Sequence, residues 1–208
     1  MTRLDPRPQI RPATAVDVPL LLTLIRELAE YERLSREVVA TPALLRRWLF
    51  GPRPAAEAVV ARAAGEPVGF ALFFTTYSTF VGRPGLWLED LYVRPSHRGK
   101  GLGRELLAHV AGLAHKRGYG RVEWSVLDWN ESAIGFYKQL GARPLDDWTT
   151  YRLDGKELAA AARTGRATAR AYALTAARPS ASSRGTPAGW PPTRRTPVRR
   201  GCAGGRGP

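Results

Sequence analysis

The sequence predicts an α/β domain: a mixed, mostly antiparallel sheet of six to seven strands with helices on both faces. Three observations carry that prediction. Two segments of helical period come before any long β-like run; two apolar runs then flank a short turn; and after them strand-like runs alternate with helical ones. The element order is βααβββαβαββ, which leaves both sheet faces to be covered by helices.

Residues 1–8 read as an arm, and Gln9 to Pro12 as a short first strand. Thr14 is placed to cap a helix whose apolar set Val18, Leu21, Leu22, Ile25, Leu28 and Ala29 recurs at spacings of three and four, running to about Leu34. A second helix starts with Thr41 as cap and Pro42 at the first helical position, and Gly51-Pro52 stops it. Ala58 to Ala63 and Val68 to Tyr77 form a hairpin across Ala64-Gly65-Glu66-Pro67. Leu86 to Val93 is a strand with two acids, Glu89 and Asp90, in its middle. Gly99 to Gly103 leads into a helix with Leu106, Leu107, Val110, Leu113 and Ala114 on one face, closed by Gly118. Arg121 to Leu127 reads as a strand, Glu131 to Leu140 as a helix, and Trp148 to Leu153 as a last strand.

The 208 residues leave room for one well-buried domain. The longest strongly apolar run, Val18 to Ile25, is interrupted and far short of the ~20 residues a membrane span needs. Charges and prolines in the first residues are unlike a secretory signal, so a cytoplasmic location is expected. The single cysteine, Cys202, excludes an intrachain disulfide and a cysteine metal cluster. No metal is expected, because His97, His109 and His115 lack ligand spacing. Of the net charge of +14, ten arginines from Arg163 onward account for +10, leaving +4 for residues 1–162. The preceding part is therefore only mildly basic, and nucleic acid is not an expected partner except through the tail. Residues 163–208, rich in Arg, Pro, Gly and Ala, contain no acid and no periodicity; a disordered tail is expected there.

The strongest chemical signal is Arg98-Gly99-Lys100-Gly101-Leu102-Gly103, between a strand and a helix. Backbone N–H groups converging at a helix start suit a pyrophosphate, and alternate glycines allow its close approach, although ordinary tight turns produce the same pair of glycines. The loop lacks the Gly-Lys-Ser/Thr ending of a P-loop, and no dinucleotide-binding βαβ unit opens the chain.

This loop resembles the R/Q-x-x-G-x-G/A motif of the GNAT acetyltransferases. Ile10 to Thr14, Glu27 to Glu32, Leu88 to Val93, Trp129 to Glu131 and Phe136 to Lys138 resemble, in order and spacing, the diamine (spermidine/spermine) and thialysine acetyltransferase subgroup. The resemblance covers about residues 9–158 and makes 1–162 the acetyltransferase domain. It implies strands splayed at an acetyl-CoA site, a homodimer, and direct transfer of acetyl to a primary amine of a small molecule.

It also implies roles for particular residues. Glu89 is the base that strips a proton from an ammonium, needed because an alkylamine with pKa ~10.4 is almost wholly charged at neutral pH; without the resemblance it reads instead as a strand carboxylate in a surface ion pair. Tyr137 is the acid that protonates the departing thiolate, or else a helix tyrosine packed on Phe136. Leu91, Tyr92, Val93, Arg98, Gly99, Lys100, Gly101, Leu102, Gly103, Asn130, Ala133 and Tyr137 are the acetyl-CoA contacts, with Asn130 also a plausible helix cap. Tyr31, Glu32, Glu89, Asp90 and Trp124 line the acceptor site, although Glu32 also fits a solvated helix end. The loop Tyr77 to Gly82 lacks the acidic residue of the polyamine-type enzymes, which turns the expected acceptor towards thialysine-like amines. An alternative expectation is an acetyl-CoA-binding sensor that uses its basic tail on nucleic acid, and a further one is a tail read out of frame.

Overall fold

In a computed structural model describing residues 8–164, five strands form one sheet in the order β1-β2-β3-β4-β5. They are β1 (Gln9–Pro12), β2 (Glu57–Ala63), β3 (Glu66–Ser78), β4 (Arg83–Val93) and β5 (Val122–Glu123). The first three pairings are antiparallel and the β4–β5 pairing is parallel, as the crossover through a helix requires. Four helices, α1 (Val18–Tyr31), α2 (Pro42–Phe50), α3 (Leu102–Lys116) and α4 (Glu131–Gln139), accompany the sheet. No helix among the described residues is long and apolar enough to cross a membrane.

Both faces of the sheet are buried. On one, Leu102, Leu106, Leu107, Val110 and Ala114 of α3 pack on Val59, Ala61, Ala71, Phe73, Leu86 and Leu88. On the other, Leu21, Leu24 and Leu28 of α1 and Leu49 of α2 pack on Val60, Phe70, Leu72 and Tyr92. The helical spacing of apolar residues thus produced two stripes, one for each face.

Polar ties aim α1. Its start is fastened to β1 by Asp17, whose buried carboxylate accepts two hydrogen bonds from Arg11, at 2.6 and 2.8 Å, and two from Thr14. Arg11 holds that carboxyl well below the usual carboxylate range. Farther along α1, Glu27 accepts two bonds from Arg94, at 2.7 and 2.9 Å, and Arg94 also donates to the Pro67 carbonyl. The end of β4 is therefore tied to α1, and α1's last turn is held near that end. The helix stops at Tyr31, before the expected Leu34, because Arg33 adopts φ 62° and Leu34 N–H turns back to the Ala29 carbonyl.

Helix α2 follows expectation, with the Leu44 N–H donating to Thr41 Oγ1 and Pro42 opening the first turn. Gly69 is required by packing: a Cβ there would lie 2.4 Å from the Tyr92 carbonyl oxygen of the neighbouring strand.

Two expectations need correction. The strand anticipated over Arg121 to Leu127 is paired only at Val122–Glu123. The one anticipated over Trp148 to Leu153 does not form, so the sheet has five strands among the described residues rather than six or seven. Aromatic and β-branched residues favour a strand only where a neighbour receives their side chains, and Trp148, Tyr151 and Leu153 stay 73%, 91% and 60% exposed.

The described residues divide into two units, the second beginning at Pro144. In the second, the described residues contain α5 (Gly155–Thr164), a helix that was not among the expected elements. The anticipated disordered tail, except for Arg163 and Thr164, lies outside the described residues.

Candidate active site

The site begins where β4 loses its second neighbour. Leu86 and Trp87 pair with Val122 and Glu123 of β5, and no strand continues alongside Leu88 to Val93 on that side among the described residues. Beyond this point a cleft of about 470 Å³ is lined by Leu88 to Val93 on β4 and by Trp124 to Val126 after β5. The shortening of β5 is therefore the same fact as the existence of the site.

A second irregularity aims the side chains. In a regular strand Leu88 and Tyr92, four residues apart, would share a face. Here Leu88 belongs to the α3 side and Tyr92 to the α1 side. The slip is a β-bulge: Leu72 lies opposite Asp90 and Phe73 opposite Leu88, leaving Glu89 as the extra residue. Asp90 consequently shares a face with Tyr92 and α1.

Along one wall run Leu91, Tyr92 and Val93, then Arg98, Gly99, Gly101, Leu102 and Gly103 at the start of α3. Gly99 and Gly101 have φ of 73° and 86°, and a Cβ on either would meet nothing within 4 Å. The turn therefore needs glycine for its backbone and leaves open space beside it, a cradle in which main-chain N–H groups at the start of a 15-residue helix can meet a pyrophosphate. Leu102 is buried and anchors that helix start in the core. Lys100 is the one residue of 98–103 that does not line the cleft; its Nζ donates to the Ser96 carbonyl. The unpaired β4 edge and this cradle together fit a pantetheine chain ending in phosphates, so the residues present suit acetyl-CoA.

The opposite wall is α4 and the segment leading to it. The Asn130 side chain caps α4, accepting from the Ala133 N–H at 3.2 Å, and also accepts from the Tyr31 hydroxyl at 3.3 Å. Both Asn130 and Ala133 line the cleft. Tyr137 lies between aromatic rings, 4.9 Å from Trp124 and 5.2 Å from Phe136 between centroids. Burial, with a contribution from Glu32, pushes its phenol up to about 12. Trp124, expected at the acceptor site, lines the cleft and packs on Tyr137.

Between the walls sit three carboxylates, Glu32, Glu89 and Asp90, none ion-paired among the described residues. Asp90 is half-buried; desolvation first, then the charges of Glu89 and Glu32, push it up to about 7. Glu32 is raised by burial. A concave site that holds uncompensated carboxylates attracts a cation.

Sixteen of the seventeen residues expected at the site line this one cleft, Glu89 and Tyr137 among them. Sequence reading missed Trp87 and Arg33, and it missed the partners of Arg98. Trp87 donates its indole N–H to Glu89 Oε2 at 2.8 Å. Arg98 stacks over the Tyr31 ring, 4.3 Å from its centroid, and donates to the Val93 carbonyl. Arg33, in its left-handed conformation, lies 5.6 Å over the Trp129 ring. The aromatic residues were visible in the sequence, but which cation each would meet was not.

The chain is similar to known proteins. The model of the acetyltransferase (GNAT) family matches residues 22–142. A thialysine N-epsilon-acetyltransferase of Sus scrofa is 41% identical over 160 residues, 72% of this chain and 94% of that protein. An L-ornithine N5-acetyltransferase of Arabidopsis thaliana is 34% identical and covers 73% of this chain and 86% of its own length. Among solved structures, an integron cassette protein from the mobile metagenome of V. cholerae superposes with a TM-score of 0.63 at 25% identity, covering 74% of this chain and 97% of that one. An aminoglycoside acetyltransferase from an uncultured soil metagenomic sample gives 0.61 over 71% of this chain and 97% of that one; at 17% identity it speaks to fold alone. The forked strand pair, the glycine turn behind it and these relatives lead to one conclusion: the chain belongs to the acetyltransferase (GNAT) family and is an N-acetyltransferase.

Proposed function

We propose that the protein transfers acetyl from acetyl-CoA directly to a primary amine of a small molecule, with a thialysine-like amino acid or a di- or polyamine as acceptor. The observation that carries this reading is the meeting of Glu89 and Tyr137 in one cleft bordered by the glycine turn. Acetyl-CoA, when bound, supplies the acetyl group as a thioester. Arg98 to Gly103 and the free edge of β4 would hold it, with Asn130 and Ala133 facing them.

Glu89 takes a proton from the ammonium, directly or through one water, and frees the lone pair that forms the new C–N bond. A backbone N–H on the free β4 edge stabilises the charge that grows on the acetyl oxygen. As the C–S bond breaks, Tyr137 gives its phenolic proton to sulfur. A phenol raised to about 12 is always loaded with that proton at working pH. Donation to a thiolate of ordinary pKa ~8.5 runs uphill in water, but the burial that raises the phenol destabilises a thiolate in the same spot.

Glu32, Glu89 and Asp90 favour a cationic acceptor, and the names of the Sus scrofa and Arabidopsis relatives both describe the amino group of an amino-acid side chain. The Tyr77 to Gly82 loop adds no acid to this set. A homodimer in the cytoplasm belongs to the same proposal. The test is an acceptor panel of thialysine, ornithine, lysine, spermidine and aminoglycosides, read by release of free thiol. Turnover on an amino-acid amine supports the proposal; acetyl-CoA binding without turnover on any amine would leave a sensor. Tyr137→Phe should lower kcat about a hundredfold or more while acetyl-CoA still binds, and a near wild-type rate removes Tyr137 as the acid.

A further inference from the structure

The carboxylates that fasten this fold are each gripped by an arginine: Asp17 by Arg11, Glu27 by Arg94 and Glu57 by Arg117, all through two hydrogen bonds. Glu89 is held differently. Its Oε2 accepts one bond, from a neutral donor, the Trp87 indole at 2.8 Å. Its Oε1 has no partner within the chain among the described residues. An arginine at this place would cancel the charge and compete with an incoming ammonium; an indole N–H orients the carboxylate and leaves its charge whole.

Trp87 is well placed to aim it. It is the last residue of β4 paired on both sides, with Phe74 of β3 and Glu123 of β5, so its backbone is fixed at the crotch of the fork. Two residues later Glu89 is the bulged residue, with no residue opposite it on β3. A carboxylate on a bulge at the edge of a cleft has several rotamers open to it, and one side-chain bond from a rigid platform selects among them. Trp87 itself does not line the cleft, so it reaches the acceptor only through Glu89.

We propose that Trp87 is a positioning residue for Glu89: its indole N–H ties one carboxylate oxygen and presents the other, with its charge uncompensated, to the amine or to the water that relays its proton. This rests on the reading of Glu89 as the base.

The test is a double-mutant cycle of Trp87→Phe and Glu89→Ala in the full chain, read by kcat/KM for the acceptor, KM for acetyl-CoA, thermal unfolding and the indole N–H resonances. Trp87→Phe should lower kcat/KM for the amine about tenfold, leave KM for acetyl-CoA and the melting temperature unchanged, and cost nothing further in the Glu89→Ala background. In the free protein, Glu89→Ala should move the Trp87 indole N–H resonance upfield. Should the phenyl ring disturb folding, 3-benzothienylalanine at position 87 replaces the N–H by sulfur at nearly constant volume and gives the same comparison. A wild-type kcat/KM in the N–H-less protein, an equal loss in both backgrounds, or an unmoved indole resonance would each overturn the positioning role. Wild-type kcat/KM in Glu89→Ala alone is a different failure: it removes the base assignment and this proposal with it.

Discussion

Replacing Asp90 by asparagine tests the electrostatics of the cleft without any substrate. Desolvation first, then the charges of Glu89 and Glu32, raise this carboxyl from 3.8 to about 7. The folded protein therefore binds a proton at Asp90 more tightly than the unfolded chain does. Between about 3.8 and about 7 the folded state carries a proton that the unfolded state has lost, so stability falls as pH rises through that window and levels off above it. From pH 5 to pH 7 the span is about two pH units, and at about 1.36 kcal/mol per unit the unscreened change over that span is about 3 kcal/mol. The cleft is open to water, which screens Asp90, and about 1–2 kcal/mol is the expected remainder. Asparagine carries no charge at any pH and lacks this dependence. Urea unfolding of both proteins at about pH 5 and about pH 8 should show Asp90→Asn gaining about 1–2 kcal/mol on the wild type at the higher pH relative to the lower. Parallel behaviour of the two proteins at both pH values would refute the picture of a desolvated acid crowded by two like charges, and with it the attraction for a cation.

Other perturbations follow from the same geometry. Asp17→Ala removes the bonds from Arg11 and Thr14 that fasten the start of α1 and should cost about 1–3 kcal/mol in chemical unfolding. Because its carboxyl is held below the usual range, the wild-type advantage is present above about pH 4 and shrinks as the solution is acidified. Gly69→Ala drives a Cβ against the Tyr92 carbonyl at 2.4 Å, backbone against backbone. It should destabilise by about 1–3 kcal/mol and raise KM for acetyl-CoA, since the strand it pushes is the one that borders the cleft. Gly101→Ala meets no neighbour but keeps φ 86°, so its cost is conformational, about 1–2 kcal/mol. Isothermal calorimetry should show weaker acetyl-CoA binding, with the acceptor's KM little changed.

Much of this was legible from residue order. Periodicity located α1, α2, α3 and α4, Thr41-Pro42 marked a helix start, and Ala64 to Pro67 marked a hairpin, because each depends on residues within a turn or two of one another. The glycine turn at Arg98 to Gly103 was legible for the same reason: a left-handed backbone at Gly101 is a local demand. Trp148 to Leu153 had a strand's composition and forms none, since composition says what would suit a strand and not whether an edge receives it.

The amino-acid sequence by itself determined the positions of α1 to α4, where the glycine turn falls, and that Glu89, Tyr137 and the residues expected to contact acetyl-CoA match one family pattern. Only the tertiary structure decided that β5 parts from β4 after Trp87, that β4 gains one residue at Glu89 and so turns Asp90 toward α1, and that Trp87 and Arg98 find Glu89 and Tyr31. A helical stripe is written in neighbours along the chain, whereas a bulge, a fork or a side-chain partner depends on strands and helices that meet only after the chain has packed.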